Sequence, residues 1–110
     1  MTKKNSDTPI ALIERAACTY FKVSREELIG PSRKHPIVQY RQVAMAVGVA
    51  MGHSTLKIGN WFGGRDHSTV MHAQKAVDEE PDLARWRDII VGALSKDWVA
   101  DVPFKTRRKA

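Results

Sequence analysis

The chain has 110 residues, 43% of them hydrophobic, and a formal net charge of +6. That length fits one small domain with one core, and that hydrophobic content argues against global disorder. The single cysteine, Cys18, excludes an intrachain disulfide framework, and its apolar helical context is typical of a buried small residue. The polar residues 1–7 lack the apolar core of a secretion signal, and no apolar run reaches the roughly 18 residues of a membrane span. We therefore expect a cytoplasmic protein without a membrane segment.

The first two predicted helices lie near the N-terminus. Apolar residues recur at helical spacing from Pro9 to about Lys22, and Asp7 or Thr8 is expected to cap this helix. The sequence Ser-Arg-Glu-Glu at 24–27 is a capping-box pattern that begins a short second helix. A Gly-Pro pair directly afterwards is expected to end it.

A basic loop at 31–36, bounded by two prolines, precedes the third predicted helix. This helix runs from about Ile37 to Met51, and Gly52 is its expected C-cap. Its second half, 43–51, is apolar on all sides, which is typical of a helix at the centre of a core.

The fourth and fifth predicted helices are separated by a pair of glycines. Ser54 or Thr55 can cap the fourth helix, and Gly63 and its neighbouring glycine break it. Asp66 is expected to cap the fifth helix, which runs to about Glu79.

Pro81 is expected to close the fifth helix, and a sixth helix is predicted from about Leu83 to Trp98. With no alternating strand pattern in the sequence, the predicted fold is all-α, a compact bundle of about six helices. The predicted organisation is a disordered lead at 1–8, the domain at 9–100 and a basic tail at 101–110.

The fourth helix, the glycine turn and the fifth helix together resemble a helix-turn-helix. At about 100° per residue, Ser68, His72 and Lys75 fall within about 60° of one another on the fifth helix. The opposite side carries an apolar stripe formed by Val70, Ala73 and Val77. Asp66 and His67 lie in the first turn, where recognition helices usually contact bases. The positive charge of the chain indicates a nucleic-acid partner because some of it lies beside this element.

The residue types at this helix start suit DNA chemistry. An Asp carboxylate can accept from the cytosine amino group, and Ser, Thr and His offer short donors and acceptors to base edges. Ser68, Thr69 and the first backbone N–H groups can also bind phosphate. The alternative remains that Asp66 is only a helix cap and that His67 and His72 are ordinary surface histidines.

Residues 63–73 read Gly-Gly-Arg-Asp-His-Ser-Thr-Val-Met-His-Ala. They resemble the signature of the C-terminal DNA-binding domain of DnaA, the bacterial replication initiator, which is Gly-Gly-Arg-Asp-His-Thr-Thr-Val, any residue, His and Ala. The resemblance extends upstream through Phe62, Ile58-Gly59 and the run Arg-Gln-Val-Ala-Met at 41–45, and covers roughly residues 10–78.

This resemblance implies which residues contact DNA. The expected major-groove residues are Asp66, His67, Ser68, Thr55 and Leu56. Arg33 of the basic loop is expected to enter the adjacent minor groove. The residues implied to touch phosphates or to support the recognition helix are Lys34, Arg41, Gln42, Lys57, Arg65, Thr69, His72 and Lys75.

The chain also departs from the family pattern. Ser68 replaces a Thr and lacks the methyl group that could pack on a thymine methyl. Thr55-Leu56 stands where the family has Leu-Pro, Gln39-Tyr40 stands where it tends to have Arg-Pro, and one residue is missing before His53. The target sequence can therefore differ from the initiator's own box.

Catalytic and cofactor chemistry is not expected. Adjacent Asp66, His67 and Ser68 diverge on a helix and cannot converge as a hydrolase triad. His67 and His72 point about 140° apart, unlike the histidine pair of a helical zinc site. No Gly-Lys-Ser/Thr phosphate loop is present in the sequence, so we expect no nucleotide, no metal and no catalytic residue. The initiator's ATPase domain is likewise expected to be absent.

We therefore predict a sequence-specific binder of double-stranded DNA, associated with the nucleoid, that acts as a transcription regulator. A narrower resemblance, to the DnaA-type domain of phage-like and gene-transfer-agent activators, implies an activator with a protein partner. The alternatives are a replication modulator that binds DnaA boxes at an origin, and a helical protein-interaction module. Trp86 and Trp98 can either pack in the core or form a surface for the partner.

Overall fold

The computed structural model describes residues 8–97, and these residues form six helices and no strand. The helices are α1 (Ile10–Phe21), α2 (Arg25–Ile29), α3 (Ile37–Ala50), α4 (Thr55–Trp61), α5 (His67–Glu79) and α6 (Pro81–Asp97). The predicted all-α bundle of about six helices is confirmed. Most of the predicted lead, Trp98 and the predicted tail at 101–110 lie outside the described residues. Over the described part of the chain, no helix combines the length and apolar character needed to cross a bilayer.

Helix α3 is the centre of the bundle and packs against each of the other five helices. Its run from Val43 to Gly48 is buried, as is Met51 just beyond its end. A helix surrounded by others needs apolar side chains on all sides, which is why this stretch of sequence lacks a polar stripe. The predicted central core helix is confirmed.

The beginnings of the first two helices differ from each other. The capping box of α2 is present, because Ser24 Oγ accepts from the Glu27 amide at 3.0 Å and Glu27 Oε1 accepts from the Ser24 amide at 2.9 Å. Helix α1 has Pro9 as its N-cap, with no side-chain cap hydrogen bond, so the expected cap by Thr8 is wrong, and Asp7 lies outside the described residues. The backbone of Pro9 is extended, and Thr8 is instead 3% exposed.

Two further boundaries are shifted by one or two residues. The C-cap of α3 is Met51 rather than Gly52, and Gly52 follows it with a positive φ of 100°. Helix α5 ends at Glu79 as predicted, and Glu80, the residue before Pro81, is extended, as a following proline favours. Pro81 is also the first residue of α6, which therefore begins two residues before the predicted Leu83. A proline fits the first helical position because its ring fixes φ near the helical value and its missing N–H would have no partner there.

Helix α6 is held to the bundle by aromatic contacts. The Trp86 ring meets Tyr20 and Phe21 edge-on, with centroids 5.9 and 5.2 Å apart, and Phe21 stacks on Tyr40 at 4.2 Å. Ile90 on the same helix is fully buried. These contacts favour the core-packing interpretation of Trp86.

Candidate nucleic-acid interface

The segment α4–turn–α5 has the geometry of a helix-turn-helix. Ser54 caps α4, since its Oγ accepts from the Lys57 amide at 3.1 Å. Gly63 and Gly64 reverse the chain direction with φ values of 82° and 71°. Residues with a Cβ atom rarely adopt such positive φ values, whereas glycine adopts them readily. A Cβ on Gly59 would collide with the Arg65 carbonyl oxygen, and the Arg65 amide donates to the Gly59 carbonyl at 2.7 Å. The small residue at 59 therefore lets the turn lie directly against α4.

Asp66 is the N-cap of α5, as predicted. Its Oδ2 accepts from the Ser68 amide at 3.3 Å and from the Ser68 hydroxyl. These hydrogen bonds from the Ser68 hydroxyl and amide hold the pKa of the Asp66 carboxyl below its ordinary value. His67 Nδ1 lies 3.8 Å from Asp66 Oδ1. The cap fixes the first turn of α5 while the side chains of Asp66, His67 and Ser68 stay exposed.

The two faces of α5 differ as the helical spacing predicts. Val70, Ala73 and Val77 are buried, which confirms the inner apolar stripe. The outer side is exposed at Thr69 and at Ser68, His72 and Lys75. The inner stripe packs α5 onto α3 and α4, so the position of the outer side chains is set by the core.

Met71 is a candidate contact that the sequence interpretation did not include. Its side chain is 53% exposed. At about 100° per residue it lies within about 60° of both Ser68 and Lys75, on the same outer face. The angle calculation that grouped Ser68, His72 and Lys75 could have found Met71 as well.

The start of α4 adds an apolar group to this surface. Leu56 is 61% exposed, beside the exposed Lys57 and the half-buried Thr55. An exposed leucine is common on protein surfaces, but here it stands at the beginning of the first helix of the helix-turn-helix. An apolar side chain at such a place can contact a thymine methyl group.

The basic loop between α2 and α3 presents Arg33 and Lys34 to solvent. The Lys34 amide donates to Ser32 Oγ at 3.2 Å, which shapes the loop locally. Gln42 on α3 is half-buried. The loop follows α2 directly, and Arg65, which precedes the cap of α5, donates hydrogen bonds to the Ile29 and Gly30 carbonyls at the end of α2.

Two arginines that were expected to touch phosphate or support the reading helix contact the protein itself. Arg41 is only 6% exposed, and its Nε donates to the Leu28 carbonyl at 2.7 Å. Arg65 donates from Nη1 to the Ile29 and Phe62 carbonyls and from Nη2 to the Gly30 carbonyl. Burial lowers the pKa of both guanidinium groups from the ordinary value. These contacts fit the supporting role.

Charge is distributed unevenly along α5. Exposed cations lie in the basic loop, on α4 and on the outer face of α5, namely Arg33, Lys34, Lys57 and Lys75. Its other end and the beginning of α6 are acidic at Asp78, Glu79, Glu80 and Asp82. A helix of 13 residues is about 20 Å long, so the acidic end lies far from the first turn. In residues 8–97, no three His, Cys, Asp or Glu side chains cluster closely enough to hold a metal ion.

This arrangement defines a helix-turn-helix DNA-binding domain, with the polar start of the second helix exposed and its other face buried. The family of the bacterial DnaA protein helix-turn-helix matches residues 10–77. The chain therefore belongs to the DnaA C-terminal helix-turn-helix family, a family of DNA-binding domains.

Three relatives show the extent of the similarity, and each is a chromosomal replication initiator protein DnaA. The chain is 46% identical to the DnaA protein of Chlorobaculum tepidum over 69 aligned residues. This alignment covers 62% of this chain and 14% of the relative. The chain is 44% identical to the DnaA protein of Thermomicrobium roseum over 70 residues, which are 63% of this chain and 15% of the relative. The chain is 40% identical to the DnaA protein of Lactobacillus helveticus over 81 residues, which are 73% of this chain and 18% of the relative. The similar region thus spans less than a fifth of each of these relatives.

Proposed function

We propose that this chain binds double-stranded DNA sequence-specifically and inserts the first turn of α5 into the major groove. The observation that carries the proposal is the exposed set Asp66, His67 and Ser68 on a helix whose inner stripe is buried. His67 and Ser68 supply donors and acceptors to base edges, and an Asp66 oxygen can accept from cytosine. Leu56 contributes an apolar contact from the start of α4, beside Thr55.

The basic loop is proposed to hold the neighbouring part of the duplex. Arg33 would enter the minor groove, where a narrow A·T-rich tract concentrates negative potential. Side chains of the basic loop, α3, α4 and the outer face of α5 are proposed to contact the phosphates: Lys34, Gln42, Lys57, Thr69, His72 and Lys75. Affinity should then fall steeply with salt, because each cation displaces condensed counterions from DNA.

We propose regulation of transcription in the cytoplasm, at the nucleoid, as the first biological setting. The support is the element itself, since a helix-turn-helix is a common reader of operator sequences. Activation of the gene-transfer-agent type would need a protein partner that links the bound chain to the transcription machinery. The outer surface of α6, where Ile89 is exposed, is one place for that partner.

Binding of DnaA boxes at a replication origin is the second candidate setting. The observation that favours it is the 40–46% identity to proteins named chromosomal replication initiator protein. In this setting the chain would compete with the initiator for its sites. The replacement of Thr by Ser68 within the signature would modify the preferred site in either setting.

The binding proposal is tested by selecting bound sequences from a random duplex library and measuring affinity for the selected site and a scrambled one. We expect the selected site to bind at least about a thousandfold more tightly at physiological salt. Equal affinity for the two duplexes would refute sequence-specific binding and favour the protein-interaction module.

The two settings are separated by genome-wide occupancy and by competition on origin DNA. Occupied promoters whose transcription changes on deletion support regulation. Occupancy confined to the origin, with displacement of the initiator by added protein, supports the replication setting. Failure to displace the initiator at saturating concentration would reject the latter.

A further inference from the structure

We propose that Arg65 is a positioning residue that couples the major-groove helix to the minor-groove loop. The proposal rests on the proposed function, because it assigns α5 and the basic loop to two grooves of one duplex. It differs from a phosphate contact, in which the Arg65 guanidinium would face the DNA backbone. In the structure that guanidinium points into the protein and joins two segments distant in the sequence.

The hydrogen bonds of Arg65 span the two elements. On one side, Nη1 donates to the carbonyl of Phe62, the C-cap of α4. On the other side, Nη1 donates to the Ile29 carbonyl at 2.8 Å and Nη2 to the Gly30 carbonyl at 2.7 Å. Arg65 itself immediately precedes Asp66, the cap of α5. A single side chain therefore fixes the start of α5 relative to the end of α2.

The end of α2 is held in place because two arginines donate hydrogen bonds to its consecutive backbone carbonyls. Arg41 binds the Leu28 carbonyl, and Arg65 binds the next two. The last carbonyls of a helix have no partner within the helix, and cationic donors satisfy them well. Arg33 follows Gly30 by only three residues, with Pro31 restricting the backbone between them.

The glycine turn leaves room for this link. A Cβ added to Gly63 would lie 2.7 Å from Arg65 Nη1 and 3.2 Å from the Ile29 carbonyl oxygen. The guanidinium therefore lies beneath the turn, between α4 and α2. Three of the five guanidinium N–H donors are directed at these backbone carbonyls, so the main contacts of Arg65 are with the protein itself.

The decisive variant is Arg65→Lys, which keeps the positive charge but loses the two-pronged geometry of the guanidinium. Its binding is measured over a range of salt, on the selected duplex and on one whose minor-groove A·T flank is replaced by G·C. Arg33→Ala and the double variant complete a cycle. Arg85→Lys, on the exposed surface of α6, is the matched control and should bind like the original protein.

We expect Arg65→Lys to weaken binding to the selected site about tenfold without changing the salt slope. It should also lose the preference for the A·T flank, as Arg33→Ala does, so the double variant should bind no more weakly than the weaker single one. Independent losses that multiply in the double variant would overturn the proposal. The proposal would also be overturned if Arg65→Ala reduced the slope of log affinity against log salt concentration by about one. Such a reduction is the signature of a lost phosphate contact.

Amide hydrogen exchange in the absence of DNA provides a second measurement and separates this proposal from the proposed function. Arg65→Lys should accelerate amide exchange at residues 32–34 relative to exchange in α6. Slow exchange in α6 also reports that the variant is folded. Unchanged loop exchange in a folded variant would overturn the coupling. If the original protein shows no sequence preference, the proposed function fails, whereas the exchange result still decides whether Arg65 holds the loop.

Discussion

The inner and outer faces of the helix-turn-helix are built from one short segment but serve different ends. The inner residues are buried in the hydrophobic core, namely Ile58, Phe62, Val70, Ala73 and Val77. The outer residues face solvent, namely Leu56, His67, Ser68, Met71 and Lys75. Because burial and exposure alternate within single helical turns, substitutions one or two positions apart should separate folding stability from DNA binding.

Phe62→Ala should produce the largest effect and act on stability alone. Phe62 is fully buried, and removing its ring leaves a cavity next to the turn. We expect the free energy of unfolding to fall by about 3–5 kcal/mol, measured by urea denaturation. Phe62→Leu, which retains most of the volume, is the control and should lose clearly less. A loss below about 1 kcal/mol for the Ala variant would mean that this face is not part of the core.

His67→Ala should give the reverse pattern. Because His67 is exposed, its loss should change the free energy of unfolding by less than about 0.5 kcal/mol. Binding to the selected duplex should weaken by about 1–3 kcal/mol, while binding to a scrambled duplex stays unchanged. Fluorescence anisotropy titrations on both duplexes measure this difference. An equal loss on both would show that His67 does not read sequence.

Leu56→Ala should have a smaller effect on binding, confined to one base. If Leu56 packs on a thymine methyl, its truncation should cost about 1 kcal/mol on the selected duplex. Replacing that thymine with uracil, which lacks the methyl, should remove the difference between the variant and the original protein. A difference that persists at every uracil substitution would place Leu56 away from the bases.

The same comparison shows what sequence alone could predict. The two faces of α5 followed from residue spacing, and the caps at Ser24, Ser54 and Asp66 followed from residue type, because both are local properties. The inward-facing roles of Arg41 and Arg65 could not be predicted in this way. Apart from the Phe62 carbonyl, their carbonyl partners lie 13 to 36 residues away, so only the packing of α2 against α3 and the turn reveals them.

Position 9 shows a second limit of the local signals. A proline after Asp7 and Thr8 favoured a capped first turn, but Pro9 itself is the N-cap and has an extended backbone. The Thr8 carbonyl is only 2.6 Å from His53 Nε2, across the bundle. This long-range contact lies directly before the first turn of α1, and nothing in the neighbouring residues indicates it.

The smallest expected effect tests whether Asp66 stabilises α5 as a charged cap. The Ser68 hydroxyl and amide favour its carboxylate form, which lowers its pKa in the folded chain. The unfolded chain therefore binds this proton more readily, so the stabilisation is complete above the ordinary carboxyl pKa. It is lost as the pH falls through the lowered value of the folded state.

Asp66→Asn keeps a capping oxygen but cannot titrate. Its melting temperature, followed by circular dichroism, should decline less steeply toward acid pH than that of the original protein. Ser68→Ala, which removes the hydroxyl donor, should lie between them, whereas identical acid profiles would assign the pH dependence to other carboxyls.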